Sequence, residues 1–377
     1  MTSTALQSKK RIESIDVIRG IVMVVMALDH CRDFLTRLAY DPTDLSKAST
    51  ILFLTRFVTH YCAATFVFLA GTSAYLYISR GKTKGQAAKF LLSRGLWLVL
   101  LELTIIRFGW VMNLDYHFIL LQVIWAIGVS MVILAALIYL PLPAIAIFGF
   151  ILLFGHDLFD SLSAAAFSPA GKIAWDILHV SGIVTIGKVN VLVLYPLIPW
   201  VGVMALGYCF GTLFKMEGAE RRKLLIIFGS CAIALFVVIR AFNFYGDPSN
   251  WTDQHVWYRD VLSFIDVSKY PPSLDYILIT LGPVMLMLAA LENVHNRITS
   301  IFLVYGRVPL FYYILHLYLA RLLSFLTFVI MDKKQGYSFP LGTVYIVWLL
   351  VVFILYFPCR CFMKYKQTHK QWWLSYL

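Results

Sequence analysis

The chain has 377 residues, 60% of them hydrophobic and 16% aromatic, with 14% charged and a formal net charge of +12. Soluble domains carry about 25% charged residues, so a soluble enzyme is excluded. The surplus of Lys and Arg then marks membrane-flanking loops, with no nucleic-acid partner implied.

A hydrocarbon core of roughly 30 Å takes about 20 apolar residues per helix. Such runs recur along the whole chain, and ten spans are predicted: 15–36, 51–78, 90–110, 118–140, 143–160, 190–214, 223–244, 273–291, 300–330 and 341–362. The expectation is an all-α fold, a polytopic transmembrane helix bundle. Residues 1–14 would form an N-terminal tail without a cleavable signal, 15–363 a single transmembrane domain, and 364–377 a C-terminal tail. Six scattered cysteines imply neither a metal site nor a disulfide framework.

Charge sets the orientation. Lys9, Lys10 and Arg11 precede the first span; Arg80, Lys82, Lys84, Lys89 and Arg94 follow the second. Lys215, Arg221, Arg222 and Lys223 follow the sixth, and Arg360, Lys364, Lys366 and Lys370 surround the chain's end. All four groups fall on one side of a ten-helix bundle, so both termini are expected in the cytoplasm. The longer opposite loops, 37–50, 161–189 and 245–272, are rich in Trp, Tyr, Asp and His. They either cap the bundle or meet an acceptor outside.

The first span carries Asp16, Arg19, Gly20, Met23, Ala27 and His30 within about 60° of one helical line. Asp16 and His30 are then about 21 Å apart along the axis. Ionisable groups inside a membrane helix face the bundle interior or a wet cavity. Asp16 and Arg19, three apart, can pair, either as a structural tie or with Arg19 steadying a polar donor. His30, with Asp29 beside it and Asp33 three residues on, suits a general base whose ring one of these acids orients.

On the second span Arg56, His60, Ala64, Gly71 and Ala74 share a face, and its small residues favour close packing on the first span. That would bring His60 near His30, in a site role or a structural one. Glu102 in the third span needs a partner, with Arg107 one candidate. Lys269, just before Pro271 and Pro272, either contacts an acceptor or snorkels to the interface. In the ninth span a break near Gly306–Pro309 is expected. Arg307 reads as a cytoplasmic-end anchor or donor contact. His316, nine residues on, shares its cavity only if the helix breaks.

Five stretches carry a family resemblance: RIESIDVIRG at 11–20, RFVTHYCAATFVFLAGTSAYL at 56–76, YPLIPWVGVMALGY at 195–208, KYPPSL at 269–274 and GRVPLFYYILHLYL at 306–319. The chain resembles bacterial membrane proteins grouped with the catalytic domain of heparan-α-glucosaminide N-acetyltransferase. Asp16, Arg19 and His30 are also similar in spacing to the first helix of the acyltransferase-three membrane enzymes. The resemblance implies transfer of an acetyl or other acyl group from cytosolic acyl-CoA to an extracytoplasmic sugar or glycan. One departure stands out: the heparan enzyme has Asn where His30 lies and an acid where His60 lies, and loop 37–50 holds no histidine.

Two function classes follow. The first is an acyl-CoA-dependent N- or O-acyltransferase of a bacterial inner membrane, with no metal. Its catalytic candidates are His30, His60 and Asp33; Asp16, Arg19 and Arg307 would hold the CoA donor, and Lys269 and His316 the acceptor. The basic loop Arg80–Lys84 would lie near the CoA phosphates. The second is a proton-coupled transporter or flippase using the same polar stripe as a path. Membrane lipid, and for an oligomer further copies of the chain, complete the expected partners.

Overall fold

The computed structural model describes residues 12–162, 167–334 and 336–377; Lys9, Lys10 and Arg11 lie outside them. Chain order gives α1 (Glu13–Leu35), α2 (Thr50–Ile78), α3 (Lys84–Leu101), α4 (Arg107–Val111), strand β1 (Phe118–Leu121), α5 (Val123–Leu137) and α6 (Leu142–Gly155). There follow α7 (Pro169–Leu178), β2 (Gly182–Ile186), β3 (Val189–Val193), α8 (Leu197–Phe210), α9 (Gly218–Phe242), α10 (Trp257–Ile265) and α11 (Leu274–Leu291). The chain closes with α12 (Arg297–Arg307), α13 (Pro309–Ile330) and α14 (Leu341–Thr368). The fold is the expected all-α bundle, and among the described residues seven helices are long and apolar enough to cross a membrane.

Several predicted spans change on closer view. The run 300–330 is two helices, α12 and α13, interrupted at Val308, with Pro309 opening α13 where its missing N–H costs nothing. The run 118–140 begins as strand β1, and 190–214 begins within β3. The strands form a three-stranded sheet in the order β1-β3-β2, with β1 parallel and β2 antiparallel to β3. Short apolar runs do not separate strand from helix by pattern, which is why these strands stayed hidden. Gly187, at φ +62, closes the β2–β3 hairpin. Residues 364–377 are not a free tail: α14 runs on to Thr368, and Tyr376 returns to bond Ser93 Oγ at 2.8 Å.

Where helices touch, small residues set the distance. Gly20 of α1 and Gly306 of α12 face each other so closely that a Cβ on either would run into the partner's backbone. Gly71 of α2 and Gly207 of α8 make a second seam of this kind. The first seam holds α12 across the opening turns of α1, so that α13 rises beside the same helix.

Glu102 is fully buried in a π-helical turn, residues 102–106, between α3 and α4. The expected partner Arg107 is not its partner. Arg107 instead donates to the carbonyls of Phe118 (2.8 Å), Asn113 (2.9 Å) and Asp115. Glu102 Oε2 accepts from the Trp125 amide at 3.0 Å, capping the N-terminus of α5 where a carboxylate is favourable.

Candidate functional site

Two cavities open along α1. The inner one, about 930 Å³, is lined by Asp16, Arg19 and Met23 of α1, by Arg80, Arg94, Lys215, Arg307 and Lys366, and by an apolar wall including Phe66, Val123, Leu310 and Tyr313. It gathers residues from alternate loops and from the C-terminal helix, the groups that charge counting expects on the cytoplasmic side. The outer cavity, about 310 Å³, is lined by Met26, Asp29, His30 and Asp33, with Thr59, Trp110, Gln122, Tyr195, Lys269 and Tyr270. Leu120, Leu192 and Leu194 bring the small sheet and the chain just after it into this wall. The polar stripe of α1 therefore faces two cavities that abut. Phe66, Val123 and Tyr313 belong to both linings and form the wall between them.

The inner cavity presents six cationic side chains against one acidic side chain among its lining residues, and one of the six, Lys366, donates to a Leu377 oxygen. Arg19 bonds Asp16 at 3.3 Å and the Leu69 carbonyl at 3.1 Å. Arg307 pairs with Glu13 at 3.0 Å. Lys215 stands over the Tyr75 ring at 5.1 Å, and Arg94 donates to the Ser375 carbonyl. Asp16, Arg19 and Arg307 thus meet in one cavity, whereas His316 does not share it with Arg307 even though the helix breaks at Val308. Arg94, Lys215 and Lys366 join them; in the sequence their charge had been accounted for by topology alone.

At the outer cavity the expected orientation of His30 is corrected. Asp29 is committed elsewhere: it accepts from Arg56 at 2.6 Å and Thr59 at 3.1 Å, and pairs with Arg32 at 2.8 Å. Asp33 pairs with Arg32 at 2.7 Å. The ring partner of His30 is His316, with Nδ1 of His30 and Nε2 of His316 2.7 Å apart. His316 Nδ1 lies 3.1 Å from the Tyr312 carbonyl, which can only accept, so that nitrogen carries the proton. Its Nε2 must then accept from His30 Nδ1–H, and His30 keeps the lone pair on Nε2. His316 is fully buried and lines neither cavity, so the structure puts it behind His30 and out of reach of an acceptor.

His60 does not join His30. Its ring packs against Phe57 and Tyr276, with centroids 6.1 and 5.7 Å away, and it is absent from the outer cavity's lining. Its backbone carbonyl accepts from the Tyr276 hydroxyl at 2.6 Å, a tie between α2 and α11. Lys269 is 7% exposed, so it does not snorkel; it sits in the cavity wall, 5.2 Å from the Tyr270 ring. Trp110 and Tyr313 flank the His30 ring edge-on, with centroids at 4.9 and 6.2 Å. Neither was singled out in the sequence. Tyr313 lies within the recognised 306–319 stretch, whereas Trp110 has no local signal.

These features define a polytopic membrane protein with a cationic cavity, a smaller cavity of mixed polarity abutting it, and near their shared wall an imidazole pair in which His316 is buried and His30 half-buried. The catalytic family of heparan-alpha-glucosaminide N-acetyltransferase matches residues 11–245, and the chain belongs to that family. Membership places it at a coarse level among transmembrane acetyltransferases. The matched region covers α1 to α9 and so includes Arg19, His30 and His60, while Lys269, Arg307, Tyr313 and His316 lie beyond it. Comparison with curated proteins finds no match.

Proposed function

We propose that this protein, in a bacterial cytoplasmic membrane, takes an acetyl or other short acyl group from cytosolic acyl-CoA and delivers it to an amine or hydroxyl of an extracytoplasmic sugar. The observation that carries this reading is the meeting of two cavities, one of them strongly cationic, beside one imidazole whose free lone pair is fixed by a second imidazole. A polyanionic CoA suits the inner cavity, where Arg80, Arg94, Lys215 and Lys366 supply charge-assisted contacts to phosphate. CoA is too highly charged to cross hydrocarbon, so only the pantetheine arm with its thioester would reach the shared wall. The acceptor would enter past the exposed Asp33 and rest beside Lys269 and Tyr270.

The reaction needs one base. The acceptor N–H or O–H gives its proton to His30 Nε2 as its heteroatom bonds the thioester carbon. The C–S bond then breaks, and the thiolate takes the same proton back from His30, leaving CoA thiol and acylated acceptor. During this step His316 Nε2 accepts from Nδ1–H of His30 and stabilises the transient imidazolium. Asp29 and Asp33 act at one remove by fixing Arg32 and Arg56 around the cavity.

The test is thiol release from acetyl-CoA by the purified protein, measured with and without glucosamine and a panel of hydroxy sugars. Acceptor-dependent release that His30→Ala abolishes supports the proposal. Counterflow of a sugar in vesicles without CoA consumption would replace it with the transporter reading.

A further inference from the structure

The wall between the cavities holds a polar group that space-filling does not require. Phe66 and Val123 close their part of it with hydrocarbon alone. Tyr313, beside them, is 2% exposed, and among the described residues its O–H has no acceptor, since the Trp110 indole beside it can only donate. A buried donor left unmet is costly, and a phenylalanine would fill the same space without that cost. The indole N–H of Trp110 is buried too and serves the Tyr313 oxygen, which leaves the hydroxyl hydrogen as the unmet donor. Both rings stand edge-on to His30, the imidazole with the free lone pair.

Resting on the acyl-transfer reading above, we propose that Tyr313, aided by Trp110, is the hydrogen-bond donor to the acyl carbonyl oxygen when the thioester reaches the shared wall. The oxygen enters as a neutral carbonyl and becomes an oxyanion while the acceptor's bond to carbon forms. It returns to a carbonyl when the C–S bond breaks. Tyr313 keeps its proton throughout and only donates, while His30 carries the proton from acceptor to sulfur. The donor that is unmet in the empty wall is satisfied by the oxygen and most strongly at its point of greatest charge, which is the condition for catalysis rather than mere binding. Tyr313 is thus a catalytic residue by contact with the reacting group, and the wall is the place of reaction.

Full-length protein with Tyr313→Phe tests this, using acetyl-CoA as donor and the amino or hydroxy sugar that the wild type accepts. The expected result is a kcat lower by about 100-fold, the scale of losing one such donor. KM for acetyl-CoA should stay within about twofold, since ground-state binding loses little. Binding of S-ethyl-CoA, which has no carbonyl, should be the same in both proteins. Because Tyr313→Phe also removes the contact with Trp110, intact folding is read from the unchanged S-ethyl-CoA affinity and not from the melting temperature. A Tyr313→Phe variant with wild-type kcat overturns the proposal, and so does a kcat loss accompanied by weaker S-ethyl-CoA binding. Failure of the wild type itself to transfer acyl groups is a different outcome, which removes the acyltransferase reading.

Discussion

Replacing His316 with Leu removes the acceptor that fixes the His30 tautomer while leaving both cavity linings untouched. Two effects follow. His30 becomes free to carry its proton on Nε2, where it cannot act as a base, and the imidazolium loses the neighbour 2.7 Å away that shares its charge. Loss of a buried group holding a catalytic imidazole in the right tautomer costs up to about 10⁴ in kcat; general-base catalysis as a whole contributes about 10²–10⁴. A fall of about 10²–10³ is expected, with KM for acetyl-CoA near its original value. His316→Gln, whose amide oxygen can still accept from Nδ1–H, should recover part of the loss. The assay is steady-state thiol release from acetyl-CoA with a fixed acceptor, read across pH. His316→Leu with unchanged kcat and pH profile would refute the paired-imidazole mechanism.

Arg94→Ala combined with Lys215→Ala should raise KM for acetyl-CoA by about tenfold or more with a smaller change in kcat, since charge-assisted hydrogen bonds are worth about 1.5–3 kcal/mol; unchanged donor KM would remove the inner cavity as the CoA site. Lys269→Met keeps the buried stem and deletes the cation in the outer wall. It should raise acceptor KM several-fold and leave donor KM alone; the reverse pattern would move Lys269 to the donor side. Asp266, in the outer loop after α10, has its carboxyl pushed up to about 6 by burial. Its folded state therefore holds a proton more tightly than the unfolded chain, so this contribution is complete below about pH 4 and is lost as pH rises through about 6. Thermal melts from pH 4 to 7 should show a decline that Asp266→Asn flattens, and parallel slopes for both proteins would contradict that account.

The bundle was legible because its signals are redundant: ten apolar runs, basic residues on alternate loops and a proline at the break in the ninth. The polar stripe of α1 was equally plain. Asp16, Arg19 and Met23 do line one cavity and His30 another, although a stripe cannot reveal a wall that crosses it. That wall is built by residues of α2, α5 and α13, each unremarkable in its own segment. The partner of His30 was hidden for the same reason. Asp29 and Asp33 lie near it in sequence, but Arg32 and Arg56 bind them, and the actual partner stands 286 positions away. Glu102 showed the reverse case, a buried acid whose need for a partner was clear but whose partner was a backbone amide that carries no sequence signature.

Sidedness of the transfer tests the central claim most directly. Protein reconstituted in sealed vesicles with its basic loops facing inward would be given trapped [¹⁴C]acetyl-CoA and an external sugar acceptor. Label should appear on the external sugar, at a rate that drops to background with His30→Ala, and should not appear when acetyl-CoA is supplied only outside. Transfer that requires both substrates on one side, or that persists in His30→Ala, would contradict passage of the acyl group between two cavities at this imidazole.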